Sequence, residues 1–322
     1  MQHHRVIVCL LTTLIVIAWG SALAKQYTFE KQKIFAVGDE VELEINYFTG
    51  NIEVTTHDVD RVVVKIVKRV DAVGMDEARH IADNLLIKSD QSRSKITINA
   101  AYLKKIKQGS SLWEKLLGTG GDDPYGTVDF HVMVPERCAI SIGNNTGDVN
   151  ISNIVGAVSV ESSSSTVNLN AIEGPVTVNN SAGETHGELL FGPVTINQPM
   201  GSIDLMWIEG DIRIKSSAAA IKIRQENGSI DLTTTTGNVD IQTNMYTGRD
   251  CFVSTGSGDI NFRVPGSTSS TLEIMSELGN IETQMPIKIK SVARDRLVGE
   301  LGDGGVKISL TSSTGDVTIA EF

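Results

Sequence analysis

Apolar and polar residues alternate along much of this 322-residue chain, in short runs that return at a fixed interval. Stepping nine residues at a time from Cys138 yields twelve consecutive units, among them GDVNISNIV, GAVSVESSS, STVNLNAIE, GSIDLMWIE and GDIRIKSSA. The first position is Gly in nine of the twelve, with Cys138, Ser165 and Ala219 in the others. Positions three and five are Val, Ile or Leu in eleven of twelve, with one residue between them, which predicts a short half-buried strand. Gly at position one supplies a turn conformation that bulkier residues avoid. A longer period lies over this one. Position eight is apolar in alternate units (Ile154, Ile172, Leu190, Ile208) and is Ser163, Ser181, Pro199 or Ser217 between them. The structural unit is therefore eighteen residues: two strands and two unlike corners.

One such unit cannot bury its apolar side alone, whereas stacking unit on unit gives every strand a neighbour and a continuous core. The expected fold is all-β, a parallel β-solenoid or β-helix; hairpins of a β-sandwich do not explain a strict period. After Gly237 the phrase persists at longer spacing, at Gly258, Gly279, Gly304 and Gly315, which predicts coils that enlarge toward the C-terminus with extra strands at Cys251–Ser254 and Thr271–Met275. Sparser copies begin at Gly50, Ser94 and Gly126. Between them, Met75, Ala78, Ile81, Ala82 and Leu85 recur at helical spacing behind an acidic first turn, which predicts a helix that caps the first coils.

Four segments break the pattern. The leader comes first: Arg5, an apolar run over Val6–Ala18 and the small-x-small site Ala22-Leu23-Ala24 predict a signal peptide cleaved between Ala24 and Lys25. The segment 104–126 starts basic, carries Trp113, Leu116 and Leu117 in a small amphipathic piece, and ends in a Gly/Asp/Pro turn cluster. Its plain reading is a loop folded back on the coils; its functional reading is a partner-binding loop. The stretch GETHGELLF keeps the nine-residue register but puts Thr185 and Gly187 where Val and Ile belong, so a thinned strand with a bulge or a local cavity is expected there. The insertion Ser291–Gly305 reads as a helical turn or a strand crossing outside the stack. The expected organisation is 1–24 leader, 25–126 N-terminal strands with capping helix and insertion loop, and 127–322 repeat region, the last two forming one continuous domain.

A net charge of −11, one unit more acidic once Arg5 leaves, repels phosphate backbones and argues against a nucleic-acid partner. Cys138 and Cys251, the cysteines beyond the leader, lie in no metal-ligand spacing, and on an 18-residue coil they fall many coils apart, so two separate buried thiols are expected. His57, His80, His131 and His186 are scattered, and no catalytic or cofactor motif is present, so neither a metal nor a cofactor is expected. Eighteen-residue stacking places two ladders on the outside: Asn150, Asn168, His186, Asp204, Lys222, Asp240 and Ser159, Thr177, Thr195, Arg213, Asp231. They read as charge-paired walls, with His186 a surface residue beside a carboxylate. The Asp after Gly at 148, 211, 259 and 316 reads as a turn residue bonding nearby backbone N–H groups.

The recurrent G-[DNS]-[IV]-x-[ILV] phrase, the Asp76–Ala78 helix start, the step Val134–Glu136 and the ending GELGDGGVKISLTSSTGDVTI resemble the DUF4097 family of β-strand-repeat, adhesin-like exported proteins. The resemblance spans nearly the whole chain after the leader and brings no catalytic residues with it. It implies a non-enzymatic scaffold, periplasmic or at the cell surface, that presents an extended face to a protein or glycan of the envelope, with room for peripheral membrane contact. The alternatives are a periplasmic accessory or sensing protein that binds a membrane-protein partner through Trp113, Leu116 and Leu117, and a carbohydrate-active β-helix enzyme.

Overall fold

The computed structural model describes residues 25–38, 40–102, 126–245 and 248–322. The predicted leader, 1–24, and the segment with Trp113, Leu116 and Leu117 lie outside them. Among the described residues the fold is all-β, with 25 strands and one helix, and the chain divides into two units at Cys138/Ala139.

In the N-terminal unit, strand β1 (Lys25–Ala36) leads to β2 (Val41–Thr49) and β3 (Ile52–Thr56), then β4 (Arg61–Ala72), helix α1 (Met75–Asn84), β5 (Leu85–Ser92), β6 (Lys95–Tyr102) and β7 (Thr127–Val134). Two ladders result. In one, β4 runs antiparallel to both β1 and β7, and β7 runs parallel to β3. In the other, β6 pairs antiparallel with β5 and parallel with β2. Alternation decides which side is buried: Leu43 and Ile45 meet Ile96 and Ile98 inside, while Glu42 and Glu44 meet Lys95 outside at 2.7 and 2.9 Å. Phe130 is fully buried, with the Tyr47 ring edge-on at 5.8 Å. The predicted helix is present. It buries Ala78, Ile81 and Ala82 and packs on β4, where Lys68 Nζ donates to Ala82 O at 2.7 Å. With Gly74 as N-cap, no side chain caps its first turn.

The C-terminal unit carries the repeat. Its strands are β8 (Cys138–Thr146), β9 (Val149–Val155), β10 (Val158–Glu173), β11 (Val176–Phe191), β12 (Val194–Asn197), β13 (Met200–Glu209), β14 (Ile212–Lys215), β15 (Ala218–Asn227), β16 (Ile230–Thr236) and β17 (Val239–Thr243). Along the first ladder each strand residue is in parallel register with the residue eighteen further on: Ile140 with Val158, Val158 with Val176, Val176 with Val194, and so on to Ile230. A second parallel ladder runs from Val149 through Val167, Thr185, Ile203 and Ile221 to Val239. Val, Ile and Leu of both ladders point inward and are almost wholly buried.

Two expectations need correction. The strand through GETHGELLF is neither bulged nor hollow: β11 is continuous, and Thr185, His186 and Gly187 are paired in register on both sides. Thr185 is fully buried with its hydroxyl donating to Gln198 Oε1 at 2.6 Å. The place of a side chain at Gly187 is taken by Leu190 and Leu205, whose methyl carbons lie 2.8 Å from where a Cβ would stand. A hydrogen bond and two neighbouring leucines thus replace the missing Val and Ile.

Nor do the coils simply enlarge toward the C-terminus. One step lengthens to 21 residues, with Ile230 opposite Cys251 in β18 (Cys251–Ser257) and Val239 opposite Ile260 in β19 (Ile260–Val264). The chain then leaves a gap. Strands β20 (Ser270–Ser276) and β21 (Ile281–Thr283) come next in sequence, followed by the hairpin β22 (Lys288–Val292) and β23 (Arg296–Leu301), with β24 (Val306–Ser312) and β25 (Val317–Glu321) last. In space β24 lies between β18 and β20, and β25 between β19 and β21, all parallel. Strand β23 closes the outer side of β20 antiparallel, and the exposed β22 follows it. The insertion at Ser291–Gly305 is therefore a strand crossing rather than a helical turn.

Cys138 and Cys251 are buried thiols outside any disulfide, and burial pushes the pKa of both up to about 12.

Candidate interaction surface

Both outer ladders form residue for residue in the predicted order. Asn168 Nδ2 donates to Asn150 Oδ1 at 2.8 Å, and Arg213 Nε to Asp231 Oδ2 at 3.2 Å, the latter pair being more than half exposed. The alternating signs of Asp204, Lys222 and Asp240 do not become a chain of ion pairs. Asp240 pairs with Arg263 on β19 instead. Asp204 Oδ1 is enclosed without a hydrogen-bond partner. His186 does stand beside a carboxylate, but it is Glu184, two residues away on the same strand, at 3.2 Å. A shallow depression of about 440 Å³ lies over His186, Asp204, Lys222 and Asp240. Among the described residues no group of three or more His, Cys, Asp or Glu is placed to hold a metal ion.

Asp211, Asp259 and Asp316 bond backbone N–H groups as expected, but in a neighbouring coil rather than their own turn. Asp211 Oδ1 accepts from Ser229 N at 2.9 Å, Asp259 Oδ1 from Asp316 N at 2.9 Å, and Asp316 Oδ1 from Asn280 N at 2.7 Å. The Ser229 N–H, helped by the Ser229 hydroxyl and by Arg249 and Arg213, holds the Asp211 carboxyl below the usual carboxylate range.

The corners hold two features that the nine-residue pattern conceals. Where the first ladder turns into the second, Asn144, Ser162, Asn180, Gln198, Thr234, Thr255, Ser312 and Ser276 are all buried and polar. Three of them hold backbone carbonyls near the corner: Asn180 donates to Ser165 O at 2.9 Å, Gln198 to Gly183 O at 3.0 Å, and Ser312 to Gly258 O at 3.0 Å. A polar residue three places before the small first residue of alternate units is the signal that marks this column in sequence.

The opposite corner bends through a left-handed residue in four successive coils: Asn153 (φ 60°), Ala171 (52°), Leu189 (56°) and Trp207 (59°). In the next coil the register shifts between Met206 and Glu209, and the column ends. The left-handed region costs a non-glycine residue roughly 1–2 kcal/mol, least for Asn. Here the two bulkiest residues occupy it, and they face outward, Leu189 39% and Trp207 49% exposed, with Phe191 exposed beside them. Glu173, Glu188 and Glu209 flank this ridge on the same strands. Nothing in the local residue types announces it, since neither Leu nor Trp is a residue that favours the turn.

The family profile for Toastrack DUF4097 matches residues 42–320. The chain belongs to this family. Solved structures to which the chain is similar include one described as a "putative adhesin" from Parabacteroides distasonis, 12% identical, covering 91% of this chain and 97% of its own, with a TM-score of 0.39. A second "putative adhesin", from Bacteroides fragilis, is 13% identical over 91% of this chain and 97% of its own, with a TM-score of 0.32. A "putative lipid binding protein" from Parabacteroides distasonis is 11% identical over 90% and 96%, with a TM-score of 0.37. No curated protein matches the chain.

Proposed function

We propose that this Toastrack chain is an exported, non-enzymatic, adhesin-like scaffold, folded as a parallel β-solenoid, that engages a protein or glycan at the cell envelope through its outer surface. The eighteen-residue ladders support the solenoid reading, and the leader-like N-terminal sequence supports export. One observation carries the binding role: Leu189 and Trp207 sit exposed at a corner whose backbone disfavours them. Backbone strain clusters at binding sites, and apolar side chains grouped on a surface mark interaction sites. An indole beside carboxylates offers a flat apolar face and hydrogen-bond acceptors, a combination that suits a sugar ring or an aliphatic side chain with a polar end.

The test is Trp207→Asn. Asn is at home in the left-handed region, so the variant is expected to melt at the same temperature as the parent or up to several degrees higher. Its binding to whole envelope fractions and to a glycan array is expected to fall at least tenfold. Equal binding by parent and variant would remove the ridge from the interface, and release of shortened sugar products from any array glycan would overturn the non-enzymatic reading.

A further inference from the structure

The N-terminal unit contains a groove whose chemistry runs against the acidity of the chain. It has a volume of about 420 Å³ and lies between β1, β4, α1 and β5. On β1, Phe29, Lys31 and Lys33 alternate onto one face, and the register of β4 sets Lys68 opposite Phe29 and Ile66 opposite Lys31. Arg79 reaches the same space from α1. Phe29, Ile66 and Leu85 supply an apolar floor. Four cations therefore converge on a surface that a sheet covered by a helix would ordinarily make apolar.

These cations are only partly offset by the protein: Asp90 attracts Lys33 from beyond ion-pair distance. Lys68 Nζ donates to a carbonyl, Ala82 O, at 2.7 Å, and Lys33 Nζ donates to a hydroxyl, Ser89 Oγ, at 2.6 Å. No ion pair joins any of the four to a described carboxylate, and Glu30, which also lines the groove, is engaged by Lys65 at 3.1 Å. Asp83 lines it too and attracts Lys68 without reaching ion-pair distance. Burial, with the charge of Lys31 added to it, holds the Lys33 and Lys68 ammonium groups below the usual lysine range. A half-buried ammonium with only neutral acceptors costs free energy that an anion would return. The volume falls at the small end of ligand pockets.

We propose that this groove binds an amphiphilic anion, with a phosphate or carboxylate head between Lys31, Lys33, Lys68 and Arg79 and a short apolar chain on Phe29, Ile66 and Leu85. The site is independent of the Trp207 ridge. The competing explanation is that inward lysines on β1 merely discourage strand-to-strand aggregation.

Titration calorimetry on the full chain without its leader separates the two, using octyl phosphate, inorganic phosphate and octyl glucoside as probes. Octyl phosphate is expected to bind saturably, at least tenfold more tightly than inorganic phosphate, with no binding of octyl glucoside. In Lys33→Met/Lys68→Met, octyl phosphate affinity is expected to fall at least tenfold while the melting temperature stays level or rises. In Lys33→Arg, which keeps the charge, it is expected to stay within threefold. Octyl phosphate binding no tighter than inorganic phosphate would eliminate the apolar floor. Octyl glucoside binding as tightly would eliminate the cations. Unchanged affinity in the double methionine variant, or loss in both variants, would overturn the proposal.

Discussion

Gly201 shows how little room separates one coil from the next. Its φ of +110° lies in the left-handed region, and a Cβ there would stand 1.7 Å from the carbonyl oxygen of Gly183, its partner one coil earlier. The glycine is required twice over, by its own torsion and by the close approach of backbone to backbone. Gly201→Ala is expected to destabilise by about 3 kcal/mol or more, measured by urea unfolding. Its register partner Ala219 carries a Cβ without a left-handed φ, so Ala219→Gly is expected to cost only about 1 kcal/mol. Thr185 presents the opposite case, a polar residue in an apolar column. Thr185→Val restores the family phrase but strands Gln198 Oε1 without a donor in the interior, and is expected to cost about 1–3 kcal/mol. A more stable variant would show that the hydroxyl contributes nothing. That Thr185 departs from the phrase was plain in the sequence. That Gln198, thirteen residues away, accepts its hydrogen bond was not, because the contact crosses a corner.

At the scale of elements, alternation decides the strands and the corner residues decide how they stack. Asp211, Asp259 and Asp316 each tie their coil to the next through a backbone N–H. For Asp211 this tie has a pH signature. Its carboxyl is held below the usual range, so near pH 4 and below the unfolded chain binds more protons at this residue than the folded chain does. The stabilisation is fully present above the unfolded value of about 4 and is lost as pH falls through the lowered folded value. The melting temperature of Asp211→Asn is therefore expected to lie below the parent's at pH 6 and to approach it at pH 3; a constant difference would show that the carboxylate's charge has no part in the tie. The helix was legible from its apolar spacing and acidic start, and its packing on β4 follows from the same face. The left-handed corner was not legible, because Leu189 and Trp207 adopt a conformation that the stack imposes on them.

For the C-terminal unit as a whole, the order of coils in space differs from their order in the chain. Strands β24 and β25, the last to be made, lie between coils that precede them. Truncation after Gly305 is therefore expected to remove an interior layer and leave β20 and β21 without their parallel neighbours. Rapid proteolysis from residue 265 onward and dye binding to exposed apolar surface would follow. A truncated chain as protease-resistant as the parent would contradict this order. The sequence by itself determined the all-β class, the eighteen-residue register, the inward and outward residues of both ladders, and the family, because each depends on spacing along the chain and a period of two or eighteen is local information. Tertiary structure alone decided the insertion of the final coil, the left-handed ridge with Trp207 and the convergence of Lys33 and Lys68 on one groove. Each of these depends on which backbone lies beside which: the similar strand phrases at Gly258, Gly279 and Gly315 could pair in several orders, and only the packing of the whole unit selects one.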